Sequence, residues 1–394
     1  MASADGAAAA VRQANARTCL LAMREAGGPL TLADLVEQTG LSRPTVDAVL
    51  AELVEAGSVR PVAAAHSAAR GRPARYFEFD PGAAAVAAVD VGHRSVRCLL
   101  TDAAGRATGY HRIEVPVHGG SGGTGAEARL EAIEQVVRRA APDHRDPTAV
   151  GLAVPGIIAA DGRLAQSLAV EDLVGTDLTT ELSARLGCPV AVENDIKLAA
   201  YAEYHLSDSP SDIAFVQIGH RISVALIVGG RILQGSHRLA GELGTQRGMR
   251  WTRSSQRGRL RWSTGDAAEE LFARAAAGDR AAAEEIDGFC AEIAPRIASL
   301  VLTVDPETVV IGGGLSRAGD TLLTPLRRHV HHLLTSPAKP TLTAARLTTD
   351  GALIGALGLA FEHASVQITG VSEVPPPWRC FTAPPPAPHP EGTP

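Results

Sequence analysis

Two architectures are joined in this sequence: an N-terminal winged helix-turn-helix domain and, behind it, a larger α/β body. Three observations predict them. Residues 11–57 hold three helical stretches with caps and breakers in place. Residues 58–79 read as a two-stranded wing around an arginine-rich turn. Further on, VDVGHRSVRCLLTDAAGR (Val89–Arg106) is echoed by VQIGHRISVALIVGGRIL (Val216–Leu233), as if one β-hairpin unit were used twice.

The first helix is expected over Val11–Glu25, because Gly27, Gly28 and Pro29 stop it. Thr31 caps the next stretch, which closes at Gly40. Ser42 caps the third, with Pro44 tolerated in its first turn and Gly57 beyond its end. Val46, Val49, Leu50 and Leu53 share one face, leaving Arg43, Thr45, Asp47 and Ala48 outward on a helix suited to a major groove. Ser42, Arg43, Thr45 and Ala48 are therefore candidate DNA contacts. A plain three-helix packing module is the structural alternative.

The wing weighs against that alternative. Between Glu55 and Glu78 there is no acid, while Arg60, Arg70, Arg72 and Arg75 supply positive charge. Within RGRPAR (Arg70–Arg75), proline stiffens the backbone and glycine lets it lie flat, so Arg70, Arg72 and Arg75 are candidates for phosphate or minor-groove contact. If every wing arginine of a dimer met a phosphate, affinity would fall roughly four orders of magnitude between about 50 and 200 mM salt.

Composition sets bounds on the rest. A chain of 394 residues with 45% hydrophobic and 20% charged residues has enough apolar content for two or three cores. No apolar run approaches the ~20 residues of a membrane span, and no signal-peptide pattern opens the chain, so a cytoplasmic protein without a membrane partner is expected. Its five cysteines are scattered without C-x-x-C spacing, which predicts neither disulfides nor a thiolate metal site. The formal charge of -6 gives no global pull on nucleic acid, so DNA contact has to come from the local wing cluster.

Within the body, VENDIKLAA (Val192–Ala200) ends a strand and opens a helix, LAGELG (Leu239–Gly244) sets a glutamate between glycines, and TVVIGGGLS (Thr308–Ser316) follows an apolar strand with three glycines. Together with the two hairpins, these motifs resemble the ROK family of repressors, open reading frames and kinases over about Ala83–Ala364. The resemblance implies an α/β actin-like (RNase H-like) two-lobed fold, with lobe one at 83–200 closed by a C-terminal helix at 351–364, and lobe two at 201–350. The winged domain then covers 1–82, and the proline-rich 371–394 is expected to be disordered.

What the resemblance implies for the site is mixed. It puts sugar contact on Asn194, the proton-accepting carboxylate of a kinase on Asp195, a further sugar contact on Glu242, and Gly156 beside them as part of an effector site. A helix cap at Asn194–Asp195 and a solvated turn carboxylate at Glu242 are the structural alternatives. The family's phosphate loops use glycine, since backbone N–H groups must approach oxygens closely; here His93–Arg94 and His220–Arg221 occupy those places. Arg94 and Arg221 are possible anion-binding residues, or ordinary hairpin residues.

Where the family carries histidine and a cysteine-rich zinc segment, this chain has Thr245 and then RGMRWTRSSQRGRLRWSTGD, so no metal and no cofactor are expected, and Arg247–Arg261 is expected to be mobile or repurposed. Gly120–Gly125 fits G-x-G-x-x-G, but the alternating strand before it argues for a surface loop rather than a dinucleotide site. The reading is a transcriptional regulator, of the repressor kind, that senses a sugar or sugar derivative without phosphorylating it, with an operator in double-stranded DNA and a homodimeric or higher assembly. Its rivals are an active sugar kinase with a DNA-binding appendage and a ligand-free scaffold regulator.

Overall fold

The computed structural model describes residues 2–63, 75–115, 125–141, 145–208, 211–219, 222–245, 251–252, 255–256, 259–265 and 267–382. Two compact units emerge. One gathers 1–152, 176–192 and 356–394; the other gathers 153–175 and 193–355.

The first unit begins with α1 (Ala2–Ala26), β1 (Leu30–Thr31), α2 (Leu32–Thr39), α3 (Arg43–Glu55), β2 (Val59–Val62) and β3 (Tyr76–Phe79). Helix α1 starts well before the expected Val11, because the alanine-rich segment ahead of it has high helix propensity. Thr31 and Asp34 form a reciprocal capping box, and Gly40 ends α2 in the left-handed region. Ser42 caps α3. Val46, Val49, Leu50 and Leu53 are buried, as are Cys19, Leu20 and Met23 of α1 and Leu35 of α2, and α3 packs on both helices, which fixes its outward face. β1, β3 and β2 form a three-stranded wing sheet in that order.

Next come β4 (Ala85–Val91), β5 (Ser95–Asp102), β6 (Ala107–Glu114), α4 (Gly125–Ala140) and β7 (Ala149–Val154). After the small hairpin of β8 (Ile157–Ile158) and β9 (Leu164–Gln166) follow α5 (Leu178–Leu186), β10 (Val190–Asn194) and α6 (Asp195–His205); of these, β8, β9 and α6 belong to the second unit. The sheet order is β10-β7-β4-β5-β6, with β4, β5 and β6 an antiparallel meander. Gly151 on β7 lies so close to α10 (Gly351–His363) that a Cβ there would sit 1.9 Å from the Ala356 carbonyl oxygen.

The second unit repeats this plan. β11 (Ile213–Ile218), β12 (Ile222–Val228) and β13 (Arg231–Ile232) form the meander. β14 (Ser255–Gln256) and β15 (Arg259–Leu260) make a small hairpin. Then come α7 (Ala268–Ala276), α8 (Arg280–Val304), β16 (Thr308–Gly312), α9 (Asp320–Leu333) and β17 (Thr341–Ala344). The order β13-β12-β11-β16-β17 matches the first sheet strand for strand, and β16 runs parallel to β11. The two similar sequences thus occupy equivalent hairpins, β4–β5 and β11–β12.

Two expectations are corrected. The basic segment is not loose in its described part: Trp251 and Trp262 are buried in the second unit's core on either side of the β14–β15 hairpin, and Trp262 packs edge-on to Phe272 and Phe289 at 5.8 and 5.2 Å. Indole burial supplies the order that the expectation left to a metal.

The second correction concerns 371–382, which is folded rather than disordered. Trp378 fills the space beside Gly358, where a Cβ would lie 2.0 Å from the indole, and Phe381 meets Phe361 at 5.6 Å. The same strap reaches α1: Ser372 N donates to Gln13 at 2.9 Å, Arg17 pairs with Glu373 at 3.1 Å, and Arg24 donates to the Pro375 carbonyl at 3.0 Å. Proline content suggested disorder because it removes backbone donors; two aromatic anchors and side-chain bonds from α1 provide the order instead. Residues 383–394 lie outside the described part.

Candidate effector and DNA-binding sites

On the recognition helix, Ser42, Arg43 and Ala48 are exposed, as is Asp47. Thr45 is half-buried, and its hydroxyl lies 2.7 Å from that of Ser42, so the pair forms part of the cap as well as part of the face. Arg60 stands across the strand pair from Glu78 and donates to its carboxylate at 2.7 Å from Nε. Arg75 is exposed and lies 5.8 Å from the Phe77 ring centre. Arg70 and Arg72 fall outside the described residues.

At the first altered loop, His93 and Arg94 are exposed. Gly92 N–H donates back to the Ser95 carbonyl at 2.8 Å, while the Gly92 carbonyl accepts from buried Arg129 of α4 at 2.9 Å. Asp90, at the end of β4, receives Arg97 Nε at 2.8 Å from the facing position on β5. His220 and Arg221 lie outside the described residues, as do Gly120 and Gly122–Thr124; Gly125 opens α4.

The second unit brings Gly156, Asn194 and Asp195 together. Asn194 ends β10 and caps α6, its Oδ1 accepting from the amides of Ile196 and Lys197 at 2.9 and 3.0 Å, and its Nδ2 donating to the Gly156 carbonyl at 2.8 Å. The helix-cap role is therefore real, and the bond to Gly156 uses one of the two Nδ2 hydrogens. Gly156 adopts φ +143°, and a Cβ there would lie 2.2 Å from the Gln166 carbonyl oxygen, so only glycine brings this carbonyl into place. Asp195 is half-buried, with Oδ1 accepting its neighbour Ile196 N at 2.9 Å.

Glu242 is linked to this corner through residues the motif reading passed over. Lys197, 3% exposed, donates to Gln234 Oε1 at 2.9 Å and to the Arg238 carbonyl at 3.4 Å. Gln234 in turn donates to the buried Glu193 carboxylate, which also accepts Asn194 N at 2.8 Å and lies 3.6 Å from Arg238. Burial raises Glu242 above the ordinary carboxyl range; Lys197 pulls it down and Glu193 pushes it up. Burial likewise lowers Lys197, against the carboxylates of Glu193 and Glu242.

One signal in the sequence could have flagged Lys197, which interrupts an otherwise apolar helical run, Ile196 to Ala200. Arg238 is a non-glycine residue at φ +59°, a feature that only the fold reveals. Gly241 at φ +84° lets the Glu242 loop pass against β12, where a Cβ would meet the Val224 carbonyl oxygen at 2.5 Å. The triple glycine after β16 has a packing reason: at Gly312 a Cβ would strike the Phe215 ring at 2.3 Å. Thr245 ends a short 3-10 turn. Among the described residues no group of His, Cys, Asp and Glu is arranged to hold a metal, and no helix is long and apolar enough to cross a membrane.

The ROK family profile matches residues 86–253 and 248–363, more than half of the chain. The chain belongs to the ROK family. Ahead of its ROK domain, residues 15–63 match the IclR helix-turn-helix domain.

Among relatives, it is 31% identical over 229 residues to the bifunctional enzyme NanE/NanK of Brucella melitensis biotype 1, covering 54% of this chain and 43% of that one. The ROK chain described here thus spans less than half the length of that relative. A glucokinase of Halalkalibacterium halodurans is 26% identical, over 61% of this chain and 83% of its own. A putative xylose repressor of Caldicellulosiruptor sp. is 24% identical, over 77% and 84%. In fold, a crystal structure of a ROK family transcriptional regulator, a homolog of the E. coli MLC protein, aligns over 91% of this chain and 99% of its own, with TM-score 0.69 and 19% identity.

Proposed function

We propose that this protein is a DNA-binding transcriptional regulator, a repressor acting as a homodimer, that senses a sugar or sugar derivative and does not phosphorylate it. The observation that carries the reading is the joining of a helix-turn-helix domain, with an exposed recognition-helix face at Ser42, Arg43 and Ala48, to a ROK domain. Effector contacts fall to Asn194, Asp195, Glu242 and the Gly156 carbonyl. A carboxylate accepts hydroxyl protons and the remaining Asn194 hydrogen donates, which suits a polyhydroxylated ring. The putative xylose repressor among its relatives supports the assignment.

The first hairpin turn supports the loss of phosphoryl transfer. An incoming phosphate needs converging N–H donors. Here Gly92 N–H bonds within the turn, the next two positions carry side chains, and Asp90 is held by Arg97. Arg94, exposed at that turn, is the candidate for an anionic part of an effector. The glucokinase relative keeps an active kinase as the competing reading.

Calorimetry against sugars and sugar phosphates, with a coupled ATP assay in parallel, separates the possibilities. Heat on sugar binding that disappears in Glu242→Ala, without ATP turnover, is expected. Turnover that vanishes in Asp195→Asn would establish the kinase, and no heat with any sugar would favour a scaffold. For DNA, anisotropy with genomic fragments should show a flatter salt slope in Arg72→Ala and an unchanged one in Arg60→Ala, since Arg60 already serves Glu78. Arg43→Ala is expected to relax base preference at one position. Equal salt slopes for wild type and Arg72→Ala would exclude the wing from phosphate contact.

A further inference from the structure

Lys197 is the least exposed charged side chain of the second unit's polar corner, and it lies on α6 while its bonding partners lie on the segment 234–238. Burying an ammonium is costly unless it is bonded and compensated. Both conditions are met. Gln234 Oε1 and the Arg238 carbonyl accept its protons, and the carboxylates of Glu193 and Glu242 act on its charge. Through Gln234 it is also connected to Glu193, whose carboxylate takes Asn194 N.

We propose that Lys197 is the positioning residue of this site: its ammonium, held by Gln234 and the Arg238 carbonyl, ties the segment that leads to Glu242 to the first turn of α6 and sets the charge that Glu242 meets. The proposal rests on the reading of this corner as an effector site. It follows from the geometry that the Glu242 loop and the Asn194 cap are held by shared side-chain bonds, so a change in one is passed to the other without movement of the sheet.

Glu242 is faced by two opposite influences, Lys197 favouring its ionised form and Glu193 disfavouring it, with Arg238 adding a further charge on the same segment. The ionised form accepts hydroxyls without donating, so ligand affinity is lost as pH falls through the Glu242 midpoint. Removing Lys197 raises that midpoint and moves the loss to higher pH; neutralising Glu193 moves it lower.

The test uses the full chain without ligand. Glutamate-labelled protein, with Glu242→Gln to assign the signal, gives the Glu242 carboxyl titration by carbon NMR. Lys197→Met is expected to raise the midpoint by about one unit and Glu193→Gln to lower it. Hydrogen exchange across 233–242 is expected to quicken at least about tenfold in Lys197→Met, with α8 unchanged as the control for intact folding. Midpoints that stay put, or move in the same direction in both variants, overturn the proposal, as does unchanged exchange in 233–242. With a bound sugar in hand, the acid limb of its affinity should move as the Glu242 midpoint does. Absence of any sugar binding would sink the sensing role, whereas the ligand-free titration and exchange would still decide the part played by Lys197.

Discussion

The two compact units repeat one strand order, yet the polar residues assigned to each unit are used in different ways. In the first, Asp90 and Arg97 pair across neighbouring strands with side chains 18% and 16% exposed, and His93 and Arg94 project into solvent. In the second unit, Glu193, Asn194 and Lys197 are buried around the junction of β10 and α6, each bonded to another member or to backbone. A duplicated scaffold therefore does not duplicate chemistry. Burial decides which polar groups have to be satisfied collectively and which can be exchanged.

The largest effect expected from that difference is on Glu193. Replacing Glu193 by Ala leaves Arg238 without its carboxylate, Lys197 with that of Glu242 alone, and Gln234 Nε2 and Asn194 N without their acceptor, so chemical denaturation should show a loss of about 3–5 kcal/mol. A loss below about 1 kcal/mol would mean that the cluster is not the cooperative unit described. Arg97→Ala is expected to cost less, about 1–2 kcal/mol, because water can reach the Asp90 carboxylate in part. An equal cost at the two positions would erase the contrast between the units.

A smaller and pH-dependent effect belongs to His205, at the end of α6 between Tyr201 and Tyr204, with ring centres 4.4 and 5.1 Å away. Burial lowers its pKa from the ordinary 6.5 to about 4. The unfolded chain therefore takes up the proton first on acidification. Its contribution to stability is complete above about pH 6.5 and is lost as pH falls toward 4. Thermal midpoints of wild type should decline through that window, and those of His205→Phe should decline less; parallel curves would remove His205 as the cause.

Much of the head was legible because its signals are local. Ser42, Thr31 and Gly40 act on the backbone within a turn of themselves, and the spacing of Val46, Val49, Leu50 and Leu53 needs no knowledge of the partner. The paired hairpins were legible for the same reason. The strap at 371–382 was not, since proline counts say nothing about a space beside Gly358 waiting for an indole. Nor was the Trp251 and Trp262 anchoring, where arginines dominate the composition. Glu193 and Lys197 were passed over because charges on helices and strand ends are usually solvated, and only the fold shows these two enclosed. Asn194 shows the opposite case: its cap, the alternative to the sugar contact implied for it, is a local device legible in the sequence, and the structure adds its bond to Gly156, which is distant in sequence.

The strap carries a further consequence for how the molecule is made. Residues 356–382 complete a body whose other parts, 1–152 and 176–192, leave the ribosome much earlier, and the bonds from Gln13, Arg17 and Arg24 have to wait for Ser372, Glu373 and Pro375 to emerge. Contacts so far apart along the chain form late and slowly. Until they form, α1 lacks these three bonds, and the first unit is complete only once translation has passed the strap.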